Sequence, residues 1–240
     1  MTEIKLLDLT FARPAQNLAC DEALLDELEA GFGEPTLRFW EATEPFVVVG
    51  YSNRIDTEVN RKECKRRGIP VLRRSSGGGA VVQTFGCLNY NLTLPITEET
   101  ANISTTNRFV MERHRDAMAA LLGREVQIQG CTDLTLGALK FSGNAQRRKS
   151  RALVFHGCFL LHANFDVISS LLAHPSKEPA YRAHRSHAEF LTNLGVPAAS
   201  VKATLAKAWS ATENVKGPSH IRIEALAGER YANPEWNEKF

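Results

Sequence analysis

Residues 73–81 read Arg-Arg-Ser-Ser-Gly-Gly-Gly-Ala-Val, and the three consecutive glycines constrain this chain more than any other feature of it. Each glycine adds to the entropy cost of folding and brings no side chain to a core, so packing alone does not account for the run. Such residues permit positive φ and let a ligand come close to the backbone. Successive N–H groups turned to one side make a nest for an anion, and Arg74 adds a forked donor for a phosphate or carboxylate. A flexible surface loop is the competing reading. Other phosphate motifs fit poorly: Val81, Val82 and Gln83 continue as a strand where a Walker loop needs Lys-Ser/Thr and a helix, and Val82 occupies the third glycine position of G-x-G-x-x-G. No G-x-S-x-G elbow supports a hydrolase serine.

Around this run the periodicities predict a helix over 17–30, strands over 36–40 and 45–50, and a helix over 57–67 stopped by Gly68. Strands are expected at 70–73, 80–82 and 88–94, then an amphipathic helix over 105–122. Residues 125–162 read as a meander of three or four strands with turns near Gly130, Gly137 and Lys149. Further helices fall at 166–173 and 198–211, with a long loop at 175–193. Strands and helices mix without strict βαβ alternation, which predicts an α+β fold with a mixed or antiparallel sheet flanked by helices. With 240 residues and no composition break, one domain over 1–240 is expected.

A second cluster of chemistry follows at Asp133-Leu134 and at Lys140-Phe141-Ser142-Gly143-Asn144-Ala145. Gly143 inside a strand signals close approach of something to the backbone, and Lys140 there is suited to offset negative charge developing on a carboxyl or phosphoryl group. Taken alone, Lys140 reads as an exposed lysine, and His156 as a satisfied core histidine in an apolar strand. His184 and His187 have no carboxylate or cysteine completing a metal set by sequence, so no metal site is expected. Five widely spaced cysteines without a C-x-x-C pair argue against disulfides and for a reducing cytoplasm. No apolar run is long enough to span a membrane. The net charge of +2 leaves the basic groups at 61–67 and 147–151 balanced by acids, and no strand interleaves aromatics, so nucleic acid is not an expected partner.

The stretch 73–81, with Asp133-Leu134, Lys140, Ser142-Gly143, Ala145 and His156-Gly157, resembles the lipoate-protein ligase/lipoyltransferase family. Asn17-Leu18-Ala19, Glu22 and Thr192-Asn193-Leu194 support the resemblance, which covers 14–194. It implies a catalytic domain like those of biotin protein ligases and class II aminoacyl-tRNA synthetases. It also implies activation of lipoic (or octanoic) acid with ATP and Mg²⁺ to an acyl adenylate, followed by transfer to a lysine of a lipoyl-domain acceptor such as an E2 subunit or a glycine cleavage H protein. On this resemblance Lys140 contacts the acyl carbonyl and the phosphate. Arg74, Ser76, Gly77, Gly78, Gly79, Ala80 and Val81 hold the phosphate and carboxyl. Asp133, Ser142, Gly143, Ala145 and His156 complete the substrate site.

The chain departs from the family pattern in two ways. Gln83-Thr84 stand where ligases of this family often carry His-Asp, and too few residues follow Asn193 for the C-terminal accessory domain of many bacterial ligases. A separate accessory chain, or use of pre-formed lipoyl-AMP, are the corresponding alternatives. A cysteine-dependent octanoyl- or lipoyltransferase needing no ATP is the other reading; Cys131 and Cys158 flank the site, but Leu153 and Arg124 occupy the points where such transferases place the thiol. Cys87 and Cys158 are expected as strand core.

Overall fold

Alternation along one strand decides the layers of this protein. In the segment 88–94, Leu88, Tyr90, Leu92 and Leu94 belong to an apolar core, while Asn89, Asn91 and Thr93 between them are buried and polar. A strand presents successive side chains to opposite faces, so this sheet has one oily face and one polar face, both covered.

The computed structural model describes residues 3–240. The chain begins with β1 (Lys5–Asp8), α1 (Pro14–Ala30), β2 (Thr36–Glu41), β3 (Phe46–Val49), α2 (Ile55–Glu58) and α3 (Arg61–Arg67). It continues through β4 (Val71–Arg73), β5 (Val81–Gln83), β6 (Cys87–Pro95) and α4 (Ile103–Leu122). The meander is β7 (Gln127–Gln129), β8 (Asp133–Leu136), β9 (Leu139–Arg148) and β10 (Ala152–Leu160). Then come α5 (Phe165–Leu171), α6 (His187–Phe190), α7 (Ala198–Ala208), α8 (His220–Leu226), one π-helical turn (Ala227–Tyr231) and α9 (Pro234–Asn237).

The large sheet has seven strands in the order β1-β2-β6-β10-β9-β8-β7, with only β1–β2 parallel. Its apolar face packs Leu37, Phe39, Tyr90, Phe155 and Phe159 against Val110, Met111 and Met118 of α4 and Val201 and Leu205 of α7. Its polar face lies under α1 and holds Arg38, whose guanidinium pairs with Asp21 of α1 at 2.6 Å and also donates to the Asn17 side chain and carbonyl. A buried ion pair survives only with such saturation of its donors. A second sheet, β4-β3-β5, presents the loop between β4 and β5, which contains the glycine run.

The α+β class and the mixed sheet agree with the sequence reading, and the meander is four strands. Three details differ. Residues 57–67 form two helices rather than one, because Val59 bridges to Leu172 and the Asn60 side chain caps α3 by accepting from the Glu63 amide at 3.2 Å. The strands at 45–50, 70–73 and 80–82 make their own sheet. Beyond residue 211, where the sequence assigned nothing, α8, the π turn and α9 pack on α1 and β4.

Candidate active site

The direction of Lys140 is set by an irregularity in the β8–β9 ladder. Leu134 stands opposite Ser142 and Thr135 opposite Lys140, so Phe141 has no partner. One unpaired residue in an antiparallel pair is a bulge, and it turns the chain by one side-chain position. In a regular strand Lys140, Ser142 and Asn144 would share a face. Ser142 and Asn144 do lie on the core side, where the Asn144 Oδ1 accepts from the Tyr90 hydroxyl at 2.6 Å. Lys140 is carried across to the face of Gly143 and Ala145, and its Nζ pairs with Asp133 Oδ1 at 2.8 Å. The second carboxylate oxygen accepts from the Tyr181 hydroxyl at 2.7 Å.

Gly143 is required by that crossing. A methyl group at its Cβ position would lie 2.8 Å from both Cε and Nζ of Lys140. The far end of a lysine moves easily, so we expect Gly143→Ala to leave the melting temperature almost unchanged. Acyl transfer should nevertheless fall by about tenfold or more through displacement of the ammonium. Thermal denaturation and steady-state rates on the same preparation check both halves.

Facing this row is the glycine loop. Arg74 is buried, with no carboxylate against it; its Nε donates to Ser76 Oγ at 3.0 Å and a terminal nitrogen to the carbonyls of Gly77 at 2.6 Å and Gly79 at 2.8 Å. Burial lowers its pKa to about 10, which still leaves it cationic at neutral pH. With those carbonyls drawn to Arg74, the amides of residues 77–80 make no backbone hydrogen bond among the described residues, and Gly77, Gly78 and Gly79 are exposed. Gly78 has φ +92, and a Cβ there would meet Arg74 at 2.8 Å and the methyl of Ala145 at 3.7 Å. The loop thus sits directly on the β9 face. Lys140 lies over Gly143, and Gly78 lies over Ala145, the next residue on the same face of β9.

His156 on β10 stands opposite Ala145, and its Nε2 lies 2.6 Å from Ser76 Oγ. Ser76 therefore links the Arg74 guanidinium to the imidazole. Burial first, and the Arg74 charge second, push the His156 pKa down to about 3; burial does the same to His114 in the core. Both rings are neutral in the native state at all moderate pH. Unfolding returns them to about 6.5, so below that pH the unfolded chain binds protons the native protein refuses. Stability should fall as pH drops from about 6.5 toward 3, by up to about 1.4 kcal/mol per pH unit for each ring. Urea midpoints between pH 7 and 5 should fall less steeply in His156→Gln.

Of the residues singled out by sequence, Lys140, Asp133, Gly143, Ala145, His156, Ser76, Arg74 and the 77–81 backbone converge here, while Ser142 faces the core and is 1% exposed. Cys158 corrects an expectation. Only half-buried, it stands opposite Gly143 on the site face rather than in the strand core. Burial raises its thiol pKa, partly offset by the Lys140 charge. Cys131 is exposed ahead of β8. His184 meets Glu178 at 2.8 Å, with His174 on the other carboxylate oxygen at 3.0 Å, so a carboxylate does accompany it, supplied by a residue the histidine spacing did not point to. Tyr181 also escaped the sequence reading: it sits 48 residues from Asp133 in a segment without periodicity, and no local pattern signals the contact.

The fold and the sequence matches make this an enzyme of the lipoate ligase/octanoyltransferase family. Residues 13–209 match the lipoyl protein ligase A/B catalytic domain, and the chain belongs to that family. Lipoate-protein ligase A subunit 1 of Thermoplasma acidophilum is 28% identical over 239 residues, 92% of this chain and 90% of its own. Octanoyltransferase LipM of Geobacillus kaustophilus is 25% identical over 98% of both chains. A relative from Aeropyrum pernix is 33% identical over 158 residues, which span 65% of this chain but 57% of that protein. A lipoate-protein ligase A bound with ATP superposes with a TM-score of 0.81 and 26% identity over 98% of each chain. The bipartite lipoate protein ligase of T. acidophilum, studied with its E2 lipoyl domain, gives a TM-score of 0.83 at 25% identity, over 99% of this chain and 97% of that one. No helix among the described residues is long and apolar enough to cross a membrane.

Proposed function

We propose that this protein activates lipoate with ATP and transfers the lipoyl group to a lysine of a lipoyl-domain acceptor. The observation that carries this reading is that the Lys140 ammonium and the Arg74-held glycine loop both lie at β9, the first at Gly143 and the second at Ala145, while the amides of residues 77–80 make no backbone hydrogen bond among the described residues. The bulge and Gly143 aim Lys140 at the strip, and Asp133 and Tyr181 fix its height. Donors held in place before charge develops stabilise an oxyanion without reorganisation. The acceptor lysine attacks as the neutral amine, about 0.04% of an unperturbed population at pH 7, so a good leaving group is needed. An acyl phosphate anhydride supplies it. Mg²⁺ would shield phosphate charge, and Asp133, whose two oxygens now bond Lys140 and Tyr181, is the carboxylate that would help hold it.

A transferase relying on a cysteine is the second reading, favoured by the LipM relatives and by Cys158 on the site face. Against it, the Cys158 thiol is pushed up, not down, and a thiol nucleophile needs the reverse. Incubation with lipoate, ATP and labelled pyrophosphate, followed by addition of an E2-type lipoyl domain, separates the readings. Exchange and ATP-dependent lipoylation that persist in Cys158→Ser support the ligase. ATP-independent transfer from an octanoyl thioester, abolished by that substitution, replaces it. Exchange seen only after adding a second chain assigns activation to a bipartite assembly like that of T. acidophilum.

A further inference from the structure

Between α5 and α6 the chain runs through residues 172–186, and two histidines of this segment meet on one carboxylate. His174 Nε2 lies 3.0 Å from Glu178 Oε2, and His184 Nδ1 lies 2.8 Å from Glu178 Oε1. The donor atoms of all three side chains fall within 4.8 Å of one another, and His187 stands outside the group. The backbone bends to bring them together. Ala183 and His184 are both left-handed, at φ 51 and φ 58, which is uncommon for residues with a side chain. That turn folds His184 back on Glu178, and its amide also donates to Oε1 at 3.1 Å. The segment is anchored on both sides of the cluster. Ser176 donates to the buried Glu58 from its hydroxyl and, at 3.3 Å, from its amide. The Tyr181 hydroxyl donates to Asp133 at 2.7 Å.

Two imidazoles and one carboxylate form a donor set with a clear preference. Zn²⁺ and its first-row neighbours take imidazole nitrogen readily, whereas Mg²⁺ and Ca²⁺ select oxygen. Ligand atoms around a tetrahedral zinc ion lie roughly 3.3 Å apart, since each sits about 2.0–2.1 Å from the metal. Both nitrogen–oxygen separations here are already shorter than that. What remains is to turn the two rings, whose centroids are 6.2 Å apart, toward each other. Both have the freedom to turn, because the His174 and His184 side chains are 46% and 90% exposed. Water fills the fourth position in sites with three protein ligands. Arg182 is the cation against the cluster, with its Nε 3.6 Å from Glu178. That nitrogen donates to the Arg185 carbonyl at 3.0 Å, and the guanidinium lies over the Phe190 ring. Arg182 therefore weakens the attraction for a dication without taking a ligand position.

We propose that His174, Glu178 and His184 bind one divalent transition-metal ion of the zinc type. Tyr181 lies between Glu178 and His184 in the chain, so the ion clips the turn that carries it against the Asp133–Lys140 pair. A metal that closes a loop removes open conformations of that loop. The ion touches no reacting atom; it holds Tyr181 against Asp133. Nothing in this depends on which acyl reaction the site performs.

The test is calorimetric titration of the chelator-treated whole protein with Zn²⁺, alone and in the presence of Mg²⁺. The unmodified protein should take up one equivalent of Zn²⁺, and Mg²⁺ should not compete. His174→Gln, Glu178→Gln and His184→Gln should each weaken Zn²⁺ binding by about tenfold or more. His220→Gln, which removes a surface histidine paired with Glu224, should leave it unchanged, as should Cys131→Ser, whose exposed thiol lies outside the cluster. Trypsin reads the clip: Zn²⁺ should slow cleavage after Lys177 and Arg185 in the unmodified protein but not in His184→Gln. If Glu178→Gln fails to fold, the two exposed histidines decide alone. No uptake of Zn²⁺, or uptake that survives both histidine substitutions, overturns the site. Uptake without protection from trypsin overturns the clip. Neither result bears on acyl transfer, so the metal site can fail while the proposed function stands.

Discussion

Arg74→Met is expected to reduce acyl transfer by on the order of 10³ while changing the melting temperature by only a few degrees. The two halves have one cause. Arg74 is a buried cation with no acid beside it, held by Ser76 and by the carbonyls of the glycine loop. Removing it loses those hydrogen bonds, but it also removes an uncompensated charge from the interior, and the two effects oppose each other. What has no substitute is the guanidinium that holds the Gly77 and Gly79 carbonyls, on which the proposed anion site depends. Lysine should not rescue, because a single ammonium cannot hold two carbonyls and a hydroxyl in one plane. A second readout follows from linkage: an anionic ligand that binds only the native state raises its melting temperature. Saturating acyl adenylate should therefore stabilise the unmodified protein measurably and Arg74→Met very little. A variant that keeps normal transfer and a normal ligand-induced shift would remove Arg74 from the site.

Lys140→Ala is expected to cost on the order of 10²–10³ in acyl transfer, the size of losing one preorganised oxyanion donor. The loss should appear in kcat under single-turnover conditions more than in acceptor KM, because the ammonium matters most when charge reaches the carbonyl oxygen. Asp133 keeps its bond from Tyr181 in this variant, so the β8–β9 corner should remain folded. Near-normal single-turnover rates would refute the role.

The parts of this site that sequence made legible are those where one residue type has few other uses. A triple glycine beside paired arginines allowed a backbone cradle or a loose loop, and the structure shows a loop pinned by Arg74 through Ser76 and the Gly77 and Gly79 carbonyls. The meander and the long helix α4, expected over 105–122 and found at Ile103–Leu122, followed from period and punctuation. What escaped was set by pairing between distant segments. Nothing local marks Tyr181 as the partner of Asp133, or Tyr231 and Asn237 as neighbours of Glu22 and Arg73. Cys158, expected in the strand core, lies half-buried on the polar face because it alternates with His156 two positions earlier. Ser142 enters the site through the resemblance, and its pairing with Phe159 of the apolar face turns it into the core instead.

The slipped ladder at Phe141 makes side-chain direction depend on a tally of partnered residues, not of sequence positions. Lys140 and Gly143 are three apart in the chain but behave as though two apart in space. Excising Phe141 would straighten the hairpin and keep the ammonium on its side, at the expense of the ring that stacks on Phe159. Adding one more residue keeps the ammonium on its side only where that residue stays unpaired or pairs together with Phe141; paired alone, it turns the lysine toward that aromatic layer. A change in hairpin length at the tip, beyond Leu139, thus leaves the lysine on its face, while between Lys140 and Gly143 it does so only if the parity of partnered residues is kept.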